Sequence, residues 1–135
     1  MRDWFFDKRL KLAALCGAGL AYLAVALLSW VPAAYRPDLI VVSDKFEHIL
    51  AYMLLGGLSI IATRQIVDPR RIGLAIVAYA GVLELGQLLI PSRVPSAADF
   101  VASAAGAIIG VWLTALVLRG LARRFDVSET AGVET

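Results

Sequence analysis

The chain has 135 residues, of which 60% are hydrophobic and 18% are charged, and its formal net charge is +2. Globular proteins average about 45–50% apolar and about 25% charged residues, so a mean hydropathy of +0.78 indicates a membrane protein and excludes a disordered chain. The small net charge gives no support to nucleic-acid binding, and the single cysteine excludes an intrachain disulfide.

Four apolar segments are long enough to cross a bilayer, which takes roughly 20 helical residues. We predict spans over about residues 12–31, 46–63, 72–90 and 98–118. The first is longer than the apolar part of a signal peptide, so we expect it to stay uncleaved. Short connections favour neighbouring helices that run in opposite directions. The predicted fold is therefore an all-α membrane protein, a four-transmembrane-helix antiparallel bundle. It forms one domain over 1–125, followed by a flexible cytoplasmic tail over 126–135.

The basic residues predict the orientation of this bundle, because short cytoplasmic loops are enriched in Lys and Arg. Ten of them flank the two termini and the loop between spans two and three, and three lie in the other two loops. We therefore expect both termini in the cytoplasm and the other two loops outside. The ten are Arg2, Lys8, Arg9, Lys11, Arg64, Arg70, Arg71, Arg119, Arg123 and Arg124, and the three are Arg36, Lys45 and Arg93.

Polar residues gather at the outer end of this predicted bundle. Lys45, His48 and Tyr52 are spaced i, i+3 and i+7, which places them on one helix face at the start of span two. Glu84 and Gln87 share a face near the end of span three. Arg93 follows in the outer loop, and Asp99 opens span four with Ser103 on the same face. The spacing predicts that these groups can meet.

Each of these residues also has a structural interpretation. Asp44 with Glu47, and Ser96 with Asp99, have the spacing of helix caps. His48 could be a neutral side chain bonded to a neighbour. An acid at the centre of a span costs about 2.5–3.5 kcal/mol and usually pairs inside the bundle. Lys45 could extend its ammonium to the membrane surface, and Tyr52 could be an aromatic residue at that surface. Arg93 could be a solvated charge, and Glu84 could belong to a structural ion pair.

Four short segments together resemble the VanZ-like family. They are DKFEHILAY at 44–52, ELGQ at 84–87, PSR at 91–93, and an Asp followed by GAIIG at 99–110. The family pattern is roughly DKxxHxxxY, ExxQ, Pro-x-Arg, and Asp followed by Asn and GxxxG. The order and spacing match over about residues 44–110, but Ser103 stands where the family usually has Asn. A serine lacks the simultaneous donor and acceptor of the amide.

The resemblance implies a multi-pass protein of the bacterial cytoplasmic membrane. The family's namesake is associated with low-level resistance to teicoplanin, a lipid-tailed glycopeptide antibiotic that acts on cell-wall precursors outside the membrane. A polar cluster on the outer side is consistent with such a task in the cell envelope.

Two functional hypotheses follow from the cluster. In the first, the protein binds a membrane lipid or lipid-linked envelope precursor by its anionic headgroup, with Lys45, Tyr52, Gln87, Arg93 and Asp99 as binding residues. In the second, it is an enzyme that modifies such a molecule, with His48 and Glu84 as the catalytic acid–base pair.

A purely structural association, with another membrane protein or with a second copy of the chain, is the third interpretation. No cofactor or metal is predicted. A divalent ion held by Glu84, Asp99 and His48 is a weaker alternative within the enzyme hypothesis.

Overall fold

Four helices make up the computed structural model, which describes residues 8–32, 44–63, 66–90 and 93–131. They are α1 (Lys8–Trp30), α2 (Asp44–Thr63), α3 (Pro69–Gly86) and α4 (Ala97–Ala131), and a single 3₁₀ turn, Gln87–Leu89, extends α3. These ranges contain no strand. All four helices are long and apolar enough to cross a membrane, which confirms the predicted all-α fold with four helices of membrane-spanning length.

Local sequence signals account for several helix ends. The Asp68 carboxylate accepts a hydrogen bond from the Arg70 amide at 2.8 Å, and Pro69 occupies the first turn of α3, where its missing N–H costs nothing. The Ser96 hydroxyl accepts from the Asp99 amide at 3.2 Å, which confirms the cap predicted there. Helix α4 continues to Ala131, into the segment predicted to be a tail.

Some of the predictions concern residues outside the described ranges. These residues are Arg2, Arg36, Arg64, Pro91, Ser92 and the last four residues of the chain.

Helices α2 and α4 pack backbone against backbone. A Cβ added to Gly106 would collide with the backbone of Ile49, and one added to Gly110 would collide with the backbone of Met53. A Cβ on Gly56 would lie 2.8 Å from the Ala107 carbonyl oxygen. Small residues permit this approach between helices in a membrane, so the GAIIG segment is a packing device.

The contacts between these two helices advance along both helices together. Position 45 lies beside 99, 48 beside 103, 53 beside 110 and 57 beside 114. Because the numbers rise together on both helices, α2 and α4 run in the same direction. Below their polar beginnings lies the hydrophobic core, which includes Leu55, Ile60, Ile76 and Val111.

Helix α1 is the most exposed of the four, and hydrogen bonds attach its middle to α2 and α3. The Tyr22 hydroxyl lies 3.1 Å from the Ser59 hydroxyl. The Tyr79 hydroxyl donates to the Tyr22 carbonyl oxygen at 2.6 Å. The two tyrosine rings meet edge to face with their centroids 5.1 Å apart. Side chains of α2 and α3 thus attach the middle of α1 to the bundle.

Candidate functional site

The ends of α1 and α3 and the beginnings of α2 and α4 meet at one end of the molecule, here called the polar end. Hydrogen bonds and one ion pair connect all four helices there. The polar residues of this end are Ser29, Asp44, Lys45, Glu47, His48, Glu84, Gln87, Arg93, Ser96, Asp99 and Ser103.

The first half of the polar end lies between α2 and α4. The Lys45 ammonium is 3.8 Å from Oδ1 of Asp99, whose side chain is only 17% exposed. His48 Nδ1 lies 3.2 Å from the hydroxyl of Ser103. Ser103 is buried and also interacts with the hydroxyl of Tyr52. Tyr52 is itself buried, so it is not an interfacial aromatic residue.

The second half binds the end of α1. Arg93 donates from Nε to the Val31 carbonyl at 3.0 Å and from an Nη to the Leu28 carbonyl at 3.2 Å. The Gln87 amide donates to the Ser29 carbonyl at 3.3 Å. The last carbonyls of a helix lack partners within it, and a cation there also complements the helix dipole. Arg93 and Gln87 therefore cap α1 from outside.

Glu84 takes no part in this cap and contacts the segment just before α4. Its Oε2 accepts a hydrogen bond from the backbone amide of Ser96 at 3.1 Å. A second cavity of about 300 Å³ adjoins the pair, between α3 and the beginning of α4. The Glu84 carboxylate thus satisfies a backbone amide just before α4, in place of the side-chain ion pair considered from the sequence.

A groove of about 310 Å³ lies between α1, α2 and α3 at the polar end. Part of its wall is aliphatic and the rest carries polar and ionisable groups. The aliphatic residues are Val25, Leu28, Leu50, Ala51 and Leu54, and the polar ones are Ser29, Glu47, His48, Tyr52, Gln87 and Arg93. The groove can hold a molecule that has both an apolar and a polar part.

The structure divides the seven predicted site residues into three groups. His48, Tyr52, Gln87 and Arg93 line the groove. Lys45 and Asp99 pair beside it, and Glu84 lies with Ser96 in the second cavity. Sequence reasoning gave little weight to Ser103, although its spacing from Asp99, i+4, places both on the helix face that α2 covers.

Comparison with known proteins agrees with the four sequence segments. The family model described as VanZ/LLP1 matches residues 11–118. The chain belongs to the VanZ/LLP1 family. The match begins in α1, so the family region is longer than the resemblance over residues 44–110 and includes all four spans. No curated protein and no solved structure matches the chain.

The VanZ/LLP1 signature segments have distinguishable structural tasks in this chain. Gln87 and Arg93 hold the end of α1, and the two glycines of GAIIG bring α4 against α2. The DKFEHILAY segment supplies the groove wall and the Lys45 ion pair. Three of the four segments therefore contribute to the frame, and the fourth, DKFEHILAY, carries most of the groups that a ligand can reach.

Proposed function

We propose that this VanZ/LLP1 protein binds an amphiphile with an anionic headgroup, such as a membrane lipid or a lipid-linked envelope precursor, in the groove at its polar end. By holding such a molecule, it changes the susceptibility of the cell envelope to lipid-tailed glycopeptides. The groove itself carries the proposal, because a single continuous surface offers both an aliphatic wall and hydrogen-bonding groups, the combination typical of ligand pockets.

Charge supports an anionic headgroup. Arg93 uses one Nε–H and one Nη–H on the carbonyls of α1, and a guanidinium has five N–H donors in all. Because Arg93 lines the groove, its remaining donors are available to bind phosphate or carboxylate there. Lys45 is 57% exposed, so its ammonium can turn from Asp99 toward a bound headgroup.

The proposed topology places the groove at the outer surface of the cytoplasmic membrane. Ten basic residues favour a cytoplasmic location for both termini and for the loop between α2 and α3. Helices that are consecutive in the chain then run antiparallel, and the polar end faces the envelope, where the cell-wall precursors are.

The enzyme hypothesis has less support. It requires Glu84 to activate or orient His48, yet the Glu84 carboxylate accepts from the Ser96 amide and His48 contacts Ser103. Binding needs no such pair.

A groove-filling substitution tests the binding proposal directly. We expect Ala51→Leu, in the groove wall, to weaken farnesyl phosphate binding to the full chain in maltoside micelles by about tenfold or more. Ala78→Leu adds the same atoms on an exposed part of α3 and is expected to leave binding unchanged. Native mass spectrometry can count the bound ligand. Equal binding of farnesol and farnesyl phosphate, or no effect of Ala51→Leu, would contradict the proposal.

Two exposed residues at opposite ends of the molecule test the topology. Val94 is 84% exposed and Ile66 is 81% exposed. In a Cys16→Ser background, a membrane-impermeant maleimide added to intact cells should label Val94→Cys and spare Ile66→Cys until the cells are opened. Labelling of Ile66→Cys in intact cells would indicate the opposite orientation.

A host-level test links the groove to the envelope. In a deletion strain of the source bacterium, wild type and Ala78→Leu should restore the original teicoplanin susceptibility, whereas Ala51→Leu should not. If Ala51→Leu fully restores teicoplanin susceptibility at equal protein abundance, the groove is not responsible for this phenotype.

A further inference from the structure

Three potential metal ligands converge where α2 and α4 begin. One oxygen of Asp44, one oxygen of Asp99 and one imidazole nitrogen of His48 all lie within 4.8 Å of one another. Asp44 and His48 are one helical turn apart on α2, and Asp99 comes from α4. The close packing of these helices at Gly106 and Gly110 fixes the distance between the two sources of ligands.

The Asp99 carboxylate gives an independent reason to expect a bound cation. Its Oδ1 is buried and accepts no hydrogen bond from any group in the described ranges. The Lys45 ammonium is 3.8 Å away, beyond normal hydrogen-bond length. A buried charged oxygen without a hydrogen bond is costly, and a metal ion would remove that cost.

We propose that Asp44, His48 and Asp99 form a binding site for a divalent transition-metal ion, Zn²⁺ being the best match. Imidazole nitrogen suits zinc, whereas Mg²⁺ and Ca²⁺ prefer oxygen ligands alone. Zinc binds such ligands at about 2.0–2.2 Å. The two ligand atoms that lie farthest apart therefore have to approach each other by roughly 1 Å or more when the ion binds. Asp44 takes the ligand position suggested above for Glu84, whose carboxylate contacts Ser96 instead.

The contact between His48 and Ser103 suits this role. A proton on Nδ1 donated to the Ser103 oxygen leaves the lone pair of Nε2 for the ion. Metal-binding histidines usually have their second nitrogen held in this manner, which fixes the tautomer and the orientation of the ring. Ser103 is thus a positioning residue. Its hydroxyl can accept the Nδ1–H hydrogen bond without the side-chain amide that the family usually has at this position.

Lys45 connects the metal site with headgroup binding, an inference that rests on the proposed function. The ammonium and a metal ion compete for the same Asp99 carboxylate, so metal binding releases the exposed lysine. Three protein ligands leave coordination positions open. An anionic headgroup can then bind the ion directly and the freed Lys45 at the same time, which makes headgroup binding dependent on the metal.

Zinc titration of the full chain, without a histidine tag and in a Cys16→Ser background, tests the site. Competition with a chromophoric chelator measures the affinity. We expect Asp99→Asn to weaken zinc binding by at least about tenfold and Lys45→Met to strengthen it, because the competing cation is gone. Asp68→Asn is the matched control, since it removes a carboxylate at the other end of α3 while keeping a cap acceptor.

Equal zinc affinity in the wild type and Asp99→Asn would overturn the metal site. So would the absence of any gain in zinc affinity in Lys45→Met, a result that keeps the test valid if Asp99→Asn does not fold. His48 is the only histidine, so a single imidazole ¹⁵N signal should move when zinc is added, and an unmoved signal would also count against it. Farnesyl phosphate binding that persists in EDTA would end the metal inference while leaving the groove proposal intact.

Discussion

Helix α2 packs against its two main neighbours in different ways. Toward α4 it presents its own backbone, with Gly106 and Gly110 in contact with Ile49 and Met53. Toward α1 it presents the Ser59 hydroxyl, which contacts the hydroxyl of Tyr22. Near the polar end a groove of about 310 Å³ lies between the two helices. The first contact leaves no space between the helices, and the second leaves enough space for a ligand.

The difference follows from how helices associate in lipid. Lipid tails are as apolar as the side chains, so close packing and interhelical hydrogen bonds replace the hydrophobic effect as the driving force. Helices α2 and α4 use close packing, and hydrogen bonds attach α1. We infer that the α2–α4 contact fixes the charged side chains of the polar end, while α1 forms the other wall of the groove.

The largest expected effect comes from a bulky side chain between α2 and α4. Gly110→Leu would place its Cβ against the Met53 carbonyl, and backbone cannot give way as a side chain can. Overpacking a core costs about 1–3 kcal/mol, and we expect the upper end of that range or loss of folding, measured as melting temperature in detergent. Gly17→Ala, which meets nothing within 4 Å, should be neutral or slightly stabilising. Similar melting of the two variants would refute the close α2–α4 contact.

The cap on α1 gives the next largest effect. Arg93→Met removes two hydrogen bonds to the carbonyls of α1, at a cost of about 1–3 kcal/mol for bonds to a charged donor that is partly exposed. We expect the end of α1 to separate from α3. Spin labels at Leu27 and Leu88, both exposed, should then show a broader distance distribution.

Arg70→Met is the control for this measurement, because Arg70 is an exposed cation at the other end of α3. It should leave the label distances narrow. Broadening in both variants would indicate a general loss of stability in place of a specific loss of the cap.

A smaller effect is expected at the tyrosine pair in the middle of α1. Tyr79→Phe keeps the edge-to-face ring contact but loses the 2.6 Å hydrogen bond to the Tyr22 carbonyl. Interhelical hydrogen bonds in membrane proteins contribute about 0.6 kcal/mol on average. We expect a loss of that order in the free energy of unfolding, and a greater loss for Tyr79→Ala, because ring contacts add about 0.5–1.5 kcal/mol. Equal losses would mean that the ring contributes nothing.

The sequence predicts the spans and the helix faces, because hydropathy and residue spacing are local properties. The spacing of Ser96 and Asp99 predicts a helix cap, which is confirmed. The sequence could not show that Arg93 and Gln87 bind backbone carbonyls of α1, because every residue carries a carbonyl and no pattern marks those that a distant side chain will reach.

The separation of Glu84 from Gln87 was also beyond the sequence. Residues spaced i, i+3 lie about 60° apart around a helix, so each long side chain can reach a different neighbouring helix. The Gln87 amide contacts α1, while the Glu84 carboxylate contacts the backbone just before α4. Residue spacing gives the shared face but does not show which neighbour each side chain reaches.

The smallest expected effect, at Glu84, decides between structure and chemistry for this residue. In Glu84→Gln the amide oxygen can still accept from the Ser96 N–H, so we expect a change in unfolding free energy below about 0.5 kcal/mol. Glu84→Leu removes the acceptor and should cost about 1–3 kcal/mol, because a partly buried backbone amide loses its partner. If Glu84→Gln melts normally and still fails to restore envelope function in the deletion strain, the carboxylate has a chemical task that binding in the groove does not require. Restoration of function by Glu84→Gln would leave the Ser96 contact as the role of Glu84.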